Sequence, residues 1–112
     1  MSLRETIERL VAEVSRDPRF RREFRGVEAL IELRTIEGEV IYLRVHDGAV
    51  EIQDKVEGRP SLTLTASREV FMDLLESRIR GEVAVLTGRL RISGDLGLGE
   101  RLYRRILRFA KR

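Results

Sequence analysis

The chain has no cysteine, no tryptophan and a single histidine, His46. Without cysteine it can form neither a disulfide framework nor a cysteine-based zinc site, and one histidine cannot supply a histidine cluster for a metal. We therefore expect neither a metal nor a cofactor. No apolar run approaches the length of a membrane span, and residues 1–17 alternate charge too often for a signal peptide. The last three residues, Ala-Lys-Arg, do not form a peroxisomal address, so we expect a soluble cytoplasmic protein.

Lysine is also scarce, since only Lys55 and Lys111 are lysine among the 22 basic residues. The others are arginine, yet the formal net charge is only +3. This weak excess does not require a nucleic-acid partner, and the positions of the charges matter more than their sum. A chain of 112 residues fits one domain over residues 1–112 with one modest core. Neither the length nor the composition indicates an oligomeric state.

The N-terminal half predicts one helix followed by short strands. Ser2 and Glu5 have the spacing of a capping box, and an apolar stripe at helical intervals continues to Val14. Asp17-Pro18 closes this helix. Alternating apolar residues and turn signals then predict four strands joined by hairpin-length connections, which favours an antiparallel meander. The predicted strands cover residues 27–35, 39–45, 49–55 and 61–66.

The C-terminal half predicts helix, strand and helix. A helix over residues 67–79 is capped by its first residue and ended by Gly81. Residues 82–86 are ambiguous between helix and strand. Residues 88–94 predict a fifth short strand, and Asp95 caps a last helix that runs to the C-terminus.

The glycine-rich segment 94–99, Gly-Asp-Leu-Gly-Leu-Gly, does not match a phosphate loop. A Walker loop needs Gly-Lys-Ser/Thr, which is absent, and a dinucleotide fingerprint would need glycine at the position of Leu102. Gly97 and Gly99 fall in the first turn of the last helix, where glycine is costly. Glycine there lets another group approach the backbone closely, or lets the helix end move. We expect Gly94, Gly97 and Gly99 to form a hinge or portal.

The sequence does not indicate catalysis. His46 and Asp47 are adjacent in a predicted hairpin turn, where neighbouring side chains rarely face each other. The serines have no nucleophile-elbow setting. The carboxylates mostly alternate with arginines and are typical of surface charge. We therefore expect no catalytic residue and no enzyme activity.

Two segments carry a family resemblance. Residues 59–75, RPSLTLTASREVFMDLL, combine a Thr-rich strand with a capped helix. Residues 85–102, VLTGRLRISGDLGLGERL, combine a small-residue segment, a Gly-Arg-Leu-Arg-Ile strand and Gly-Asp before the last helix. Together they resemble the sterol carrier protein-2 family of lipid-binding domains. The N-terminal half agrees in pattern only, and Gly99 and the highly basic last helix depart from the family's usual pattern.

The resemblance implies an α+β fold with a five-stranded, mainly antiparallel sheet covered on one face by helices. It also implies an apolar tunnel between sheet and helices for a fatty acyl chain or a sterol. We therefore expect a non-catalytic lipid-binding or lipid-transfer protein whose partner is a fatty acid, a fatty acyl-CoA or a sterol-like lipid.

The predicted helix 67–79 is apolar over a wide arc, so it is buried on more than one side or lines a cavity. The residues alone also fit ordinary core packing, whereas the resemblance favours a tunnel. On the second strand, Val40 and Tyr42 are assigned inward, although Ile41 and Leu43 could take their place. The predicted lipid-binding residues are Ile31, Val40, Tyr42, Phe71, Leu74, Leu75, Leu86, Leu90, Leu98 and Leu102.

The last helix separates into an apolar half and a basic half when it is advanced at about 100° per residue. The basic half contains Arg101, Arg104, Arg105 and Arg108, without the compensating carboxylates found elsewhere in the chain. Such a surface is attracted to anionic headgroups, so we expect it to dock on an anionic membrane. The alternative is an ordinary amphipathic helix with a solvated back.

Two other roles stay open from the sequence. One is a structural or interaction protein of the same fold with a filled core, whose arginine face binds an acidic partner or nucleic acid. The other is an accessory domain that presents an apolar substrate to a separate enzyme.

Overall fold

Five helices and five strands make up the computed structural model, which describes residues 1–110. The end of the predicted last helix, residues 111–112, lies outside the described residues. The elements in chain order are α1 (Leu3–Ser15), α2 (Pro18–Glu23), β1 (Glu28–Thr35), β2 (Val40–His46), β3 (Ala49–Gln53), β4 (Leu62–Ala66), α3 (Arg68–Leu75), α4 (Gly81–Leu86), β5 (Arg91–Gly94) and α5 (Leu96–Ala110).

The first helix begins where the sequence predicts, and a second short helix, α2, follows directly after Asp17. The Ser2 hydroxyl accepts a hydrogen bond from the Glu5 N–H at 3.1 Å, and the Glu5 carboxylate accepts one from the Ser2 N–H at 3.1 Å. The Asp17 carboxylate accepts from the Arg19 N–H at 2.9 Å. Pro18 is the first residue of α2, where a missing N–H leaves no helical bond unmade. The capping box and the break at Asp17-Pro18 are thus confirmed.

The strands form one sheet in the order β3-β2-β1-β4-β5. Three pairings are antiparallel, while β4 runs parallel to β1 and places Leu62 beside Ile31. The mainly antiparallel sheet is confirmed, but the continuous meander is wrong. Because β3 and β4 run in the same direction, residues 54–61 must cross β2 and β1 and cannot form a hairpin. The turn signals in this stretch are the same for a crossover and a hairpin, so the pattern does not distinguish them.

One apolar cluster lies towards the end of β1 at Thr35. Leu33 of β1 and Ile41 of β2 are paired in the register and both buried, and they face the helices. Residues of α1, α3 and α4 pack against them, so this cluster holds three helices on one part of the sheet. Its buried members are Leu3, Ile7, Leu33, Ile41, Ala66, Phe71, Ala84 and Leu90.

A second cluster lies towards the other end of β1 and holds α2 and α5. Phe20 and Phe24 of α2 stack with ring centroids 4.4 Å apart, and Phe109 of α5 meets Phe20 edge-on at 5.4 Å. The helices therefore divide into two groups, and each group has its own anchor on the sheet. The buried members of this cluster are Phe20, Phe24, Ala29, Val45, Leu62 and Leu102.

The helix predicted over residues 67–79 ends early, because α3 stops at Leu75, and a separate helix, α4, follows at Gly81. The break falls at Ser77, whose φ of +60° is a left-handed conformation that cannot continue an α-helix. Gly81 therefore begins a helix and does not end one. A side chain there would crowd Tyr103, because a Cβ atom would lie 3.0 Å from its Cε1. The ambiguous residues 82–86 are helical.

Candidate functional site

The interior is apolar but incompletely covered at the middle of the sheet. Ile31 of β1, Leu64 of β4 and Ile92 of β5 pack against both clusters, yet all three are only partly buried. Leu43 of β2, which is paired with Ile31, is also partly buried. β1 is the central strand, so side chains on its helix-covered face would be buried if the two helix groups closed over them. We call Ile31, Leu43, Leu64 and Ile92 the seam, because they lie between the two clusters.

The helix α3 contributes apolar side chains that are also partly buried. Only Phe71 of this helix is buried. Val70, Met72, Leu74 and Leu75 pack against the first cluster but retain accessible surface. A helix on a fully packed core buries its apolar face. The seam and α3 therefore keep some accessible aliphatic surface.

Seven of the ten residues predicted to bind lipid belong to the two clusters or pack against them. Phe71, Leu90 and Leu102 are buried members of the clusters. The other four are partly buried, and these are Ile31, Leu74, Leu75 and Leu98.

The remaining three lie outside this interior. The register places Ile41 and Leu43 opposite inward-facing residues of β1, and alternation turns Val40 and Tyr42 to the other face. Val40 is 39% exposed. The inward orientation expected for Val40 and Tyr42 is therefore wrong, and their alternatives point inward. Leu86 is 85% exposed at the end of α4, because that helix turns a different residue towards the core.

Tyr42 belongs to a polar group on the outer face of the sheet. Glu32, only 7% exposed, accepts hydrogen bonds from Arg34 Nε at 3.0 Å and from the Thr63 hydroxyl at 3.1 Å. Burial raises the pKa of Glu32, but hydrogen bonds from Arg34, Tyr42 and Thr63 outweigh burial and hold this pKa below its usual value. The hydrogen bond to Glu32 in turn raises the pKa of Tyr42. Neighbouring side chains on the outer face of the sheet thus supply the hydrogen bonds that the buried Glu32 carboxylate needs.

A groove of about 320 Å³ opens between the start of β1 and α5. Its apolar lining comes from Val27, Leu98 and Leu102, and its basic lining from Arg101 and Arg105. The three apolar residues belong to the second cluster or pack against it, as do three of the four seam residues. The apolar floor of the groove and most of the seam therefore pack against the same cluster.

A larger groove, of about 450 Å³, lies beside the start of α3. Arg89 and Arg91 line it, together with Thr65. Thr65 and Arg91 are cross-strand partners on the outer face of the sheet. It is also lined by Ala66, a buried member of the first cluster, and by Val70, which packs against that cluster. The groove therefore extends from the outer face of the sheet to the margin of the first cluster.

The four arginines of α5 do not form one free basic surface. Arg105 donates to the main-chain carbonyl of Glu23, and Arg108 donates to the Glu23 carboxylate at 2.7 Å. Arg104 pairs with a glutamate one turn earlier in α5. The expectation that this face lacks compensating carboxylates is wrong, because α2 supplies an acid that is distant in the sequence. Arg101 has no ion-pair partner among residues 1–110.

The three glycines predicted to form a hinge have different surroundings. Gly94 has a φ of +101°, and a Cβ atom there would lie 2.6 Å from the Ser61 carbonyl oxygen. At Gly99 a Cβ atom would lie 3.2 Å from Cδ1 of Leu62. At Gly97 the nearest atom is an arginine nitrogen at 3.4 Å. Gly94 and Gly99 thus permit close packing on β4, and Gly97 alone of the three has space around it.

The start of α5 is capped as the sequence predicts. The Asp95 carboxylate accepts a hydrogen bond from the Leu98 N–H at 3.0 Å. A carboxylate already occupies this helix end, which disfavours the addition of a phosphate.

The sequence did not reveal a contact between the two helix groups. The Tyr103 ring of α5 lies against Gly81 of α4, and its hydroxyl donates to the Glu82 carboxylate. This bond lowers the pKa of Glu82. Burial, followed by the hydrogen bond to Glu82, raises the pKa of Tyr103. The sequence offers only Gly81 as a signal for this contact. Glycine is costly in a helix, so its presence at the start of α4 indicates a close neighbour.

His46 pairs with Glu28 and not with Asp47. His46 Nδ1 lies 2.8 Å from a Glu28 carboxylate oxygen, and this hydrogen bond raises the pKa of His46. Asp47 instead accepts from the Gly26 N–H at 2.8 Å. Within residues 1–110 there is no group of three His, Cys, Asp or Glu side chains suited to a metal. No helix in that range is long and apolar enough to cross a membrane.

The five-stranded sheet, the helices on one of its faces and the partly buried aliphatic residues between the two clusters define an α+β domain with one helix-covered sheet. A model of the SCP-2 sterol transfer family matches residues 7–106. The chain belongs to this family, which confirms the resemblance carried by residues 59–75 and 85–102 and associates the chain with lipid binding at the level of the family.

Three similar proteins illustrate where this domain occurs. Palmitated SCP2L2 from Aedes aegypti is 25% identical, with a TM-score of 0.69 and a match covering 93% of each chain. The sec-alkylsulfatase Pisa1 from Pseudomonas sp. matches 76% of this chain with a TM-score of 0.64 and 13% identity, but only 13% of that chain is covered. Peroxisomal multifunctional enzyme A from Dictyostelium discoideum is 36% identical over 44 residues, which are 39% of this chain and 10% of that protein. The chain thus spans only a small part of either enzyme.

Proposed function

We propose that the protein is a non-catalytic carrier that holds an acyl chain or a sterol-like lipid against the seam. The observation that carries this proposal is the partial exposure of aliphatic side chains at the centre of a sheet face that helices cover. Leucine and isoleucine suit an acyl chain better than a flat, hydrogen-bonded heterocycle. The Aedes aegypti relative is described as palmitated, so palmitate is the first ligand to test.

The energetics favour exchange over permanent capture. Burying one methylene is worth about 0.8 kcal/mol relative to water. About fifteen methylenes would gain roughly 12 kcal/mol in gross terms. Relative to a bilayer most of this gain disappears, because both environments are apolar. The proposed carrier therefore takes up and returns a lipid without a coupled chemical step.

The test is Leu74→Trp, with Leu86→Trp as a matched control. Leu74 is partly buried on α3, whereas Leu86 is 85% exposed on α4. We expect Leu74→Trp to occupy space beside the seam and lower palmitate affinity in calorimetric titration, while circular dichroism shows an intact fold. Leu86→Trp is expected to bind palmitate as the wild type does. Because the chain has no tryptophan, each variant also carries a single fluorescent reporter.

Two results would contradict the proposal. The first is equal palmitate affinity in wild type and Leu74→Trp. The second is loss of folded Leu74→Trp combined with a wild type that shows a clean apo mass in native mass spectrometry and takes up no palmitate. That second result would favour a structural or interaction protein with a filled core.

We also propose that α5 brings the carrier to anionic membranes. Leu96 is 61% exposed and Leu107 is 46% exposed. The two leucines lie about 20° apart around the helix. Arg104 and Arg108 are exposed on the adjacent side. Their pairs with Glu100 and Glu23 reduce the attraction of about 1 kcal/mol that a free basic residue has for an anionic membrane, so the exposed leucines carry most of this proposal. Arg101 and Arg105, which were expected on the same surface, line the groove instead.

Membrane docking is tested by replacing Leu96 and Leu107 with serine. Transfer of palmitate to anionic vesicles is expected to slow, while palmitate affinity in solution is unchanged. Higher salt is expected to slow transfer by the wild type. Equal transfer by both proteins at low salt would contradict docking through α5, as would tight binding of the wild type to nucleic acid.

The proposed portal lies at the first turn of α5, where Gly97 has space around it. We expect Gly97→Ala to stiffen this turn and slow palmitate uptake and release to a similar degree, leaving the equilibrium affinity unchanged. An unchanged release rate in stopped-flow measurements would remove Gly97 from the entry route.

An accessory role is the second candidate, because the two enzymes described above share this domain over only a small part of their length. In that role the domain presents an apolar substrate to a separate enzyme. For both candidate functions we propose that the protein acts in the cytoplasm. Transfer between vesicles by the isolated protein favours an independent carrier. Binding of palmitate without transfer favours the accessory role.

A further inference from the structure

The groove between β1 and α5 combines an apolar floor with a basic rim. Val27, Leu98 and Leu102 form the floor, and Arg101 and Arg105 stand on the α5 side. The floor and three of the four seam residues pack against the same cluster, so an acyl chain lying on the seam would have to pass only this cluster to end in the groove. Its terminal headgroup would then meet α5 and not open solvent.

The two arginines are not equivalent. Arg105 is partly buried, and its guanidinium donates to the carbonyl of Glu23. Arg101 is exposed and has no ion-pair partner within residues 1–110. Glu28 is the one acid that lines the groove, and its carboxylate already pairs with His46. The groove therefore offers one guanidinium that can accept a new anion.

We propose that Arg101 binds the carboxylate of a long-chain fatty acid whose acyl chain lies on the groove floor and enters the seam. This inference rests on the proposed function and narrows its ligand class to anionic amphiphiles. A guanidinium forms a charge-assisted hydrogen bond with a carboxylate, which is about twice as strong as one with a neutral hydroxyl. A fatty alcohol or a sterol would occupy the same aliphatic surface with little gain from Arg101.

The experiment compares two ligands with the same chain, palmitate and 1-hexadecanol, in wild type, Arg101→Gln and Arg104→Gln. Arg104→Gln is the matched control, because it removes the same charge from the same helix at a residue that pairs with Glu100. We expect Arg101→Gln to lower palmitate affinity about tenfold and to leave 1-hexadecanol affinity unchanged. Arg101→Lys is expected to recover part of the palmitate affinity, and Arg104→Gln is expected to bind both ligands as the wild type does.

Each other outcome overturns the inference in a recognisable way. Equal losses for both ligands in Arg101→Gln would mean that Arg101 supports the fold and not the headgroup. Unchanged palmitate affinity in Arg101→Gln would remove the headgroup site while leaving the proposed carrier function intact. Equal losses in Arg104→Gln would mean that net charge, and not position, attracts palmitate. A wild type that binds neither ligand would overturn the proposed function itself.

Discussion

Gly99 provides the most direct test of how α5 sits on the sheet. The substitution Gly99→Ala adds one methyl group on the side of the helix that faces β4. That methyl group would lie 3.2 Å from Cδ1 and 3.4 Å from Cδ2 of Leu62. Leu62 is 4% exposed and belongs to the second cluster, so it has little room to move away.

Two effects of opposite sign decide the result. Replacing glycine with alanine in a helix gains up to about 1 kcal/mol from backbone entropy. Overpacking a buried contact costs about 1–3 kcal/mol. We therefore expect Gly99→Ala to be destabilising by roughly 0–2 kcal/mol. Gly97→Ala is the matched control two residues earlier, where no atom is nearer than 3.4 Å. It keeps only the favourable effect, so the two variants are expected to differ by about 1–3 kcal/mol.

Urea unfolding followed by circular dichroism measures this difference. The midpoint of Gly97→Ala is expected to lie above that of Gly99→Ala by roughly 1 M. Helix propensity alone would predict that both substitutions stabilise the helix, and the contact with Leu62 removes that gain at Gly99. Equal stabilisation by the two substitutions would refute the contact, and α5 would then lie farther from β4 than the structure places it.

Three further outcomes concern stability. Gly94→Ala is expected to cost several kcal/mol in urea unfolding, since φ is +101° and the new Cβ would lie 2.6 Å from the Ser61 carbonyl oxygen; a loss below about 1 kcal/mol would contradict this. Thr6 is fully buried and its hydroxyl has no hydrogen-bond partner among residues 1–110, so Thr6→Val is expected to raise stability by about 1 kcal/mol, and a loss of that size would imply a partner. Glu28 raises the pKa of folded His46, so the stabilisation from this pair is present below the ordinary histidine pKa and is lost as the pH rises through the raised value. Urea unfolding of His46→Gln and of the wild type, at pH values below and above that range, measures how much more stable the wild type is at each pH. If this difference in stability grew at high pH, the expectation would be contradicted.

Features that depend on neighbouring residues could be predicted from the sequence. The capping box at Ser2 and Glu5 and the cap at Asp95 form because each needs only residues within one helical turn. Alternation likewise located β1 and β4 to within a few residues. These interactions have the same geometry in any fold, so their sequence patterns are reliable.

Features that depend on distant residues could not be predicted. β2 is apolar on both faces in the sequence, so only its pairing with β1 shows that Ile41 and Leu43 point inward. The ion pair of Arg108 with Glu23 joins helices at opposite ends of the chain. The family resemblance supplied the fold class and the element order. It did not supply the register, and a shift of one residue moves every side chain to the other face.

The accessibility of the seam is a consequence of where the two clusters lie. The first cluster anchors α1 through Leu3 and Ile7, which are 1% and 3% exposed. The second anchors α2 and α5 near the opposite end of β1. The contact of Tyr103 with Gly81 and Glu82 links the groups at a site where Glu82 is exposed, and an exposed hydrogen bond contributes only about 1 kcal/mol. In the proposed carrier α5 and α4 can therefore move apart at this contact, while Val14 of α1 still packs against the second cluster. A sequence cannot show this, because a partly exposed leucine and a buried leucine follow the same apolar pattern.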